Sequence, residues 1–413
     1  MAEVTVPASN PLLTSRNFRL YWLAQVINLL GDSFTGMARM WILLEMTNSS
    51  LSQGVNLAIA TLPTVVLAPL VASWVDRLRR KPVLIYSDLA RFVLDLGLVW
   101  IVSGTTVSVW HLHLFTLLQS LVRVLYAPSQ TAFIPLLVRR DQLMKANGLQ
   151  QLGMYVAMVV GPLLAGKALA RYGAVTVIIV DAASFLLSAA LTQAIRLQEH
   201  ISSSQQSNRK QQLAEGWRYV VRNRWIIYLT GSFLLVNMSG AVSSVILPLL
   251  VKNQFGQNAD GVGLMSSFRS AGSVLGALLV STLALRGRRQ RMLTAAMAAA
   301  ALFGLLLAFA PVFWAFLAVC LLCGVSGPIM GTISNSTYHE TIPPEYQGRV
   351  SLFRHMVATC MQPVTFLLVG RLGDTVSYRT SLLAAASLTA VGTVIVATLV
   401  RFPALRQTEQ AAD

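Results

Sequence analysis

The stretch MLTAAMAAAALFGLLLAFAPVFWAFLAVCLLCGVSGPIMGTISNSTYH, residues 292–339, contains no Asp, Glu, Lys or Arg. One helix needs only about 20 apolar residues to cross a hydrocarbon layer, so this run is too long for a single crossing. Ala310-Pro311 is its natural turn, because proline removes a helical hydrogen bond and clashes with the preceding turn. The run therefore reads as two neighbouring membrane helices. Similar apolar stretches lie on either side, at 17–41, 52–74, 82–103, 112–136, 148–169, 173–195, 226–250 and 261–284, then 351–370 and 380–400. Together with 291–310 and 313–336 they predict twelve crossings. Pro128 and Pro135 interrupt the fourth, whose last turns are expected to kink.

Composition points the same way. The 413 residues are 55% hydrophobic and 12% charged, about half the roughly 25% charge of a soluble chain. A water-soluble multidomain protein and a disordered chain are both excluded. Net charge is +16, and its placement sets orientation. With both termini inside, 23 basic residues fall on the inner side and 5 on the outer side, namely Lys167, Arg171, Lys252, Arg371 and Arg379. That asymmetry is the positive-inside pattern, so the basic runs read as topology determinants and not as a nucleic-acid surface. The start, MAEVTVPASNPLLTSRNF, lacks a basic segment followed by an apolar one, so no cleaved signal peptide is expected. Cys320 and Cys323 form a C-x-x-C inside AVCLLCGV, where helix packing is the expected role. Metal chemistry would need further ligands.

The longest polar stretch, Arg196 to Arg224, lies midway. Its first part reads as linker, and Leu213 to Val221 as a short amphipathic helix on the inner surface. Six predicted spans lie on each side. Arg80-Lys81 and Arg288-Arg289 are 208 residues apart, as are Ile134-Pro135 and Ile342-Pro343. The expected fold is an all-α polytopic membrane protein, with twelve transmembrane helices in two pseudo-symmetric six-helix bundles and both termini cytoplasmic. The bundles are 1–195 and 226–401, joined by 196–225 and followed by a tail, 402–413. Repeated six-helix halves are a common plan for secondary transporters. No G-x-x-x-x-G-K-[ST] loop occurs, so ATP-driven transport by this chain alone is not expected.

Few ionisable residues fall inside the predicted spans, where contact with hydrocarbon is costly. Asp32 lies just past the expected midplane of the first span, and Arg39 is two turns further on almost the same face. Arg123 is near mid-depth in the fourth. Asp88, Arg91 and Asp95 share one face of the third by their spacing. Asp181 and Arg269 sit in the sixth and eighth. Asp32 has two readings: a proton-accepting or cation-binding carboxylate facing a central cavity, or a helix anchor paired with a neighbouring arginine. Arg123 either balances charge in the first half or touches substrate. Asp88 and Arg91 read as a structural or gating pair near the inner end. Gly161, Pro162, Ala165 and Gly166, in VVGPLLAG, favour close helix approach with a local break. Gly272 with Gly276, and Gly327 with Gly331, repeat that spacing.

These residues resemble the major facilitator superfamily, and within it the drug-exporter-like branch that includes macrolide efflux proteins and the enterobactin exporter. The likeness runs over nearly the whole chain. ASWVDRLRRK, 72–81, is similar to the family's loop signature after the second span: Asp76, Arg77, Arg80 and Lys81 match, while Ala72 and Arg79 replace its two glycines. In that family the loop aspartate helps close the cytoplasmic gate, a role the resemblance passes to Asp76. The second-half counterpart, ALRGRRQ, has Ala284 where the aspartate would be. GPLLAG resembles the antiporter-associated motif, with Ala165 in place of one glycine, and IPPEYQGRVSLFR, 342–354, also looks like this branch.

The resemblance implies proton-coupled export of amphipathic organic compounds by rocker-switch alternating access, in a plasma membrane (the inner membrane of a bacterium). Expected partners are a small amphipathic substrate, protons and membrane lipids, with no nucleic acid and no cofactor. Oligomeric state stays open, a monomer included. Export of a siderophore-like metabolite and transport of lysophospholipids are the alternatives, followed by a non-transporting membrane sensor. An enzyme is not expected, because no H-E-x-x-H or G-x-S-x-G constellation occurs and His111 and His113 have no acidic partner in view.

Overall fold

The computed structural model describes residues 15–75, 78–104, 107–197, 217–282 and 289–399. Their long elements are all helices: α1 (Arg16–Thr47), α2 (Ser50–Val75), α3 (Arg80–Ser103), α4 (Val109–Leu137), α5 (Leu143–Gln193), α6 (Arg224–Asn253), α7 (Ala259–Thr282), α8 (Arg289–Ala308), α9 (Phe313–Thr341), α10 (Pro344–Gly373) and α11 (Tyr378–Leu399). The 51-residue α5 is two limbs, because Gly173 inside it has φ 78° and ψ 170°. A left-handed φ of that size suits only a residue without Cβ. The limbs correspond to the fifth and sixth predicted spans. α4 runs through both of its prolines to Leu137.

Eight helices among the described residues are long and apolar enough to cross a membrane. The long helices outside that set are α1, α3 and α4, which carry the polar side chains described below. The repeat seen in the sequence returns in the helix starts: α6, α7 and α8 begin 208, 209 and 209 residues after α1, α2 and α3. By α4 and α9 the offset is 204, so Pro135 lies just inside the end of α4 while Pro343 lies just beyond the end of α9.

Two compact units divide the chain. The first takes Met1–Thr47, Ile59–Gln205 and Asn258–Ser267. In it α5 packs on α1 and α3, and α3 on α4. Its apolar core gathers Phe18, Tyr21, Leu84, Phe133, Ala146 and Ile195. α3 is inside out by the standards of a soluble helix: it buries Asp88, Arg91 and Asp95 and exposes Tyr86, Val93, Leu96 and Trp100. Such a helix is stable where the surroundings are apolar and the polar face finds partners within the protein. At the start of α4, the Ser108 amide donates to His111 Nδ1 (3.1 Å), one half of a capping box. This gives His111 a structural task. Gly166 approaches α7 so closely that a Cβ there would lie 2.7 Å from the Ala259 carbonyl oxygen, and its Cα neighbour is Gly263. Pro162 and Gly166 lie against Gly263 of α7, Gly161 lies against Ser33, and Ala165 is buried.

The second unit takes Asn48–Ala58, Gln206–Gln257 and Phe268–Asp413. Here α11 packs on α6 and α8, α9 on α8, and α10 on α6, around Trp225, Ile226, Met297, Ile333 and Val350. Gly272 and Gly276 lie against the α9 backbone at Leu321 and Val325, whereas Gly327 and Gly331 face open space and make no close approach. Residues 217–222 are helical, overlapping the amphipathic helix expected over 213–221; the remainder of that expectation lies outside the described residues. Trp217 meets Phe353 at 5.2 Å and Tyr219 stacks on Tyr346 at 4.5 Å. Asp374, just after α10, caps the start of α2: its carboxylate accepts from the Ser50 amide (2.6 Å), the Leu51 amide (3.2 Å) and the Ser49 hydroxyl (2.6 Å). Those amides are donors that the first turn of a helix leaves open.

Candidate functional site

The first unit holds a connected polar cluster in its interior. α3 supplies Asp88, Arg91 and Asp95, at 1%, 5% and 0% exposure, because spacings of three and four residues return to one helix face. α1 adds Asn28, Asp32 and Arg39, α4 adds Thr116 and Gln119, and the second limb of α5 adds Asp181, Ser184 and Ser188.

Arg91 is the hub. Its guanidinium pairs with Asp32 and donates to Asn28 Oδ1 (3.2 Å) and Gln119 Oε1 (3.0 Å). It also lies 4.2 Å from the Phe185 ring centroid, a placement that adds cation–π attraction. Gln119 turns its amide nitrogen to Asp95 Oδ1 (2.8 Å). Asn28 does the same for Asp88 Oδ1 (2.8 Å), whose other oxygen accepts from Ser188 (2.6 Å). Asp181 accepts from Ser184 (3.1 Å) and lies beside Asp95. Arg39 donates to Thr116 Oγ1 (3.3 Å), with Asp95, Asp181 and Asp32 supplying opposite charge around it. Of the charged side chains in this cluster, Arg39 Nε and Asp95 Oδ2 are buried without a hydrogen-bond partner among the described residues. Four carboxyls therefore surround two guanidiniums in a largely water-excluded space.

Several expectations meet here. Asp32 is paired with an arginine, and that arginine is Arg91, not Arg39 two turns along its own helix. Asp88 and Arg91 belong to this buried cluster and are bridged by Asn28; they do not form an isolated pair at a helix end. Asp181 joins them. Arg123 does not: it is exposed and makes no hydrogen bond or ion pair among the described residues. Asp76 and Arg77 lie outside the described residues. Arg80 opens α3 half-buried, and Lys81 Nζ donates to the carbonyls of Gln193 (2.9 Å) and Ile195 (2.8 Å), fastening the start of α3 to the end of α5. Asn28, Thr116, Gln119 and Ser188 were missed by sequence reasoning. They carry no charge, and the available signal was only a run of amide and hydroxyl residues in otherwise apolar helices.

The Major Facilitator Superfamily model matches residues 21–360 and 229–412. Macrolide efflux protein A of Streptococcus pyogenes is 23% identical over 368 residues, covering 86% of this chain and 89% of that protein. The multidrug efflux pump Tap of Mycobacterium tuberculosis (strain ATCC 25618 / H37Rv) is 28% identical over 397 residues, covering 92% of each. Among solved structures, a bacterial homologue of the iron transporter ferroportin, in an inward-facing state, superposes with a TM-score of 0.76 at 17% identity, covering 95% of this chain and 100% of that one.

Proposed function

The chain belongs to the Major Facilitator Superfamily, and from that premise we propose that it is a proton-coupled exporter of amphipathic organic compounds. Membership makes it an integral, multi-pass membrane transporter and not an enzyme. The efflux direction and the cargo class are our reading, supported by the similarity to a macrolide efflux protein and a multidrug efflux pump. The twelve-span count and cytoplasmic termini are part of the same reading. Transport would proceed by alternating access between the halves 1–195 and 226–401.

The observation that carries proton coupling is the imbalance in the buried cluster. Among the described residues, Asp32, Asp88, Asp95 and Asp181 face two basic side chains, Arg39 and Arg91. Burying uncompensated charge is expensive, and protein groups neutralise instead. The cluster therefore has the composition of a proton store. Asp32, with a side chain 24% exposed, is its most water-accessible carboxyl and the proposed exchange point. A proton on Asp32 would break its ion pair with Arg91 and leave that guanidinium held by Asn28 and Gln119. To drive transport, that proton must bind one facing state better than the other. Asp76, Arg77, Arg80 and Lys81 are proposed for the cytoplasmic gate, with Asp88 and Arg91 linking it to the cluster. The GPLLAG contact, Gly161 to Gly166, would hold the antiporter geometry, and Arg123 is proposed to meet substrate.

The test uses purified protein in inverted proteoliposomes with an imposed pH gradient and a panel of macrolide, lipophilic cation, siderophore and lysolipid. Wild type is expected to accumulate macrolide or lipophilic cation only when the gradient is present. Asp32→Asn is expected to cut gradient-driven uptake about tenfold or more, the equivalent of at least 1.4 kcal/mol of coupling. Undiminished coupling in that variant, with the fold intact by thermal melting, refutes the assignment. Uptake of siderophore or lysolipid alone would move the cargo to that class.

A further inference from the structure

Outside the buried cluster, the second unit carries a small basic and aromatic cavity that the transport reading does not use. The helical stretch 217–222 is seated on the first turns of α10 by the Trp217–Phe353 contact and by Val220, which is buried. Beside this seat is a cavity of about 200 Å³ lined by Arg218, Tyr219, Arg222 and Tyr346. Arg218 and Arg222 are four residues apart and so project from one face. Tyr219 and Tyr346 stack at 4.5 Å with 17° between their planes, forming a flat floor. The Arg349 guanidinium lies 5.7 Å from the Tyr346 ring on the same α10 turn.

No carboxylate among the described residues lines this cavity, and Glu345, the neighbour of Tyr346, is exposed. Arg218 and Arg222 are exposed and make no hydrogen bond or ion pair among the described residues. Two guanidiniums on one face repel each other until an anion lies between them. Their planar forks match the oxygens of a phosphate, which they can hold bidentately. Tyrosine rings suit the level where headgroups meet acyl chains, and basic residues beside membrane helices attract anionic lipid.

We propose that Arg218 and Arg222, on the Tyr219–Tyr346 floor, form a binding site for the phosphate of an anionic phospholipid headgroup, which clips the linker stretch to α10. A soluble phosphate monoester offers the same chemistry, and the experiment separates the two sources.

The full-length protein in neutral detergent micelles is titrated with phosphatidylglycerol, with phosphatidylcholine, or with glycerol 3-phosphate, and bound ligand is read by native mass spectrometry. Wild type is expected to prefer phosphatidylglycerol. The double variant Arg218→Gln/Arg222→Gln is expected to bind it about thirtyfold more weakly, from the loss of two near-surface charges. Arg16→Gln/Arg19→Gln removes equal charge from the start of α1 and is expected to bind as wild type. Tyr346→Leu keeps every charge and is expected to lose most of the preference. Saturable glycerol 3-phosphate binding that depends on the same two arginines, without phosphatidylglycerol preference, supports the phosphate site and assigns it a soluble ligand. Equal losses in the two double variants show diffuse attraction and overturn the proposal, as does absence of binding by either phosphate probe. If the arginine variant fails to fold, competition between glycerol 3-phosphate and phosphatidylglycerol on wild type decides: lipid retention that the soluble phosphate does not reduce overturns it.

Discussion

Gln119 satisfies two opposite charges with one amide, its oxygen accepting from Arg91 and its nitrogen donating to Asp95. Gln119→Leu keeps the approximate volume and removes both bonds. Leaving buried charged partners unsatisfied costs about 1–3 kcal/mol each, so a thermal midpoint several degrees lower is expected in detergent, together with weaker proton coupling in vesicles. The spacing of Asp88, Arg91 and Asp95 made their shared face legible in the sequence. The partner of Asp32 was not legible, because Arg39 on the same helix face is nearer in sequence than Arg91 on α3. Arg123 drew attention as a charge in mid-span, yet the neutral Gln119, one turn before it, does the bridging. At the surface, the Arg139 hydrogen bond holds the Asp141 carboxyl below its ordinary range. A depressed carboxyl contributes above its unfolded pKa and loses the contribution as pH falls through the folded value. Both groups are solvent-exposed, so Arg139→Gln is expected to leave the thermal midpoint at neutral pH unchanged.

At the scale of elements, backbone proximity does what side chains do elsewhere. Gly166→Ala would drive its Cβ against the Ala259 carbonyl, and a backbone oxygen cannot swing aside as a side chain can. A lower thermal midpoint and reduced transport are expected, while Gly327→Ala, with nothing within 4 Å, serves as the silent control. Both glycines sit in small-residue patterns in the sequence, and the pattern alone did not separate the contact from the open face; that depends on which helix is opposite. Removing the Asp374 cap is a second test. Asp374→Ala strips three acceptor contacts from the start of α2, a loss of about 1–2 kcal/mol by analogy with helix caps, readable as a lower midpoint that Asp374→Asn restores in part. The helix positions themselves were legible because apolar length is a strong signal. The drift in repeat offset at α4 was not: α8 has 20 residues against the 24 of α3, and the exact end of a helix is what an apolar run defines least.

At the scale of the whole molecule, the intramembrane charge of the described residues is unevenly shared. The first unit encloses four buried or half-buried carboxyls, while the helices of the second offer Arg269 and Arg354, the latter 3.3 Å over the Tyr338 ring. Under the proposed coupling, this division would give proton handling to the first unit and the cargo path to the second. If twelve crossings and inward termini are correct, fluorescent-protein fusions at both ends will fluoresce in a bacterial host and alkaline phosphatase fusions there will be inactive; the opposite result at either end removes the topology. The bond between Asp374 and residues 49–51 has a consequence for biosynthesis. It joins positions separated by up to 325 residues, so the start of α2 must wait, already in the membrane, while most of the chain is still being made. Contacts of such long sequence separation form late, and a nascent chain stopped before residue 374 would leave the first amides of α2 without their carboxylate. The finishing step of assembly would then belong to the last part synthesised, and truncations near the end of α10 should unsettle a helix made near the beginning.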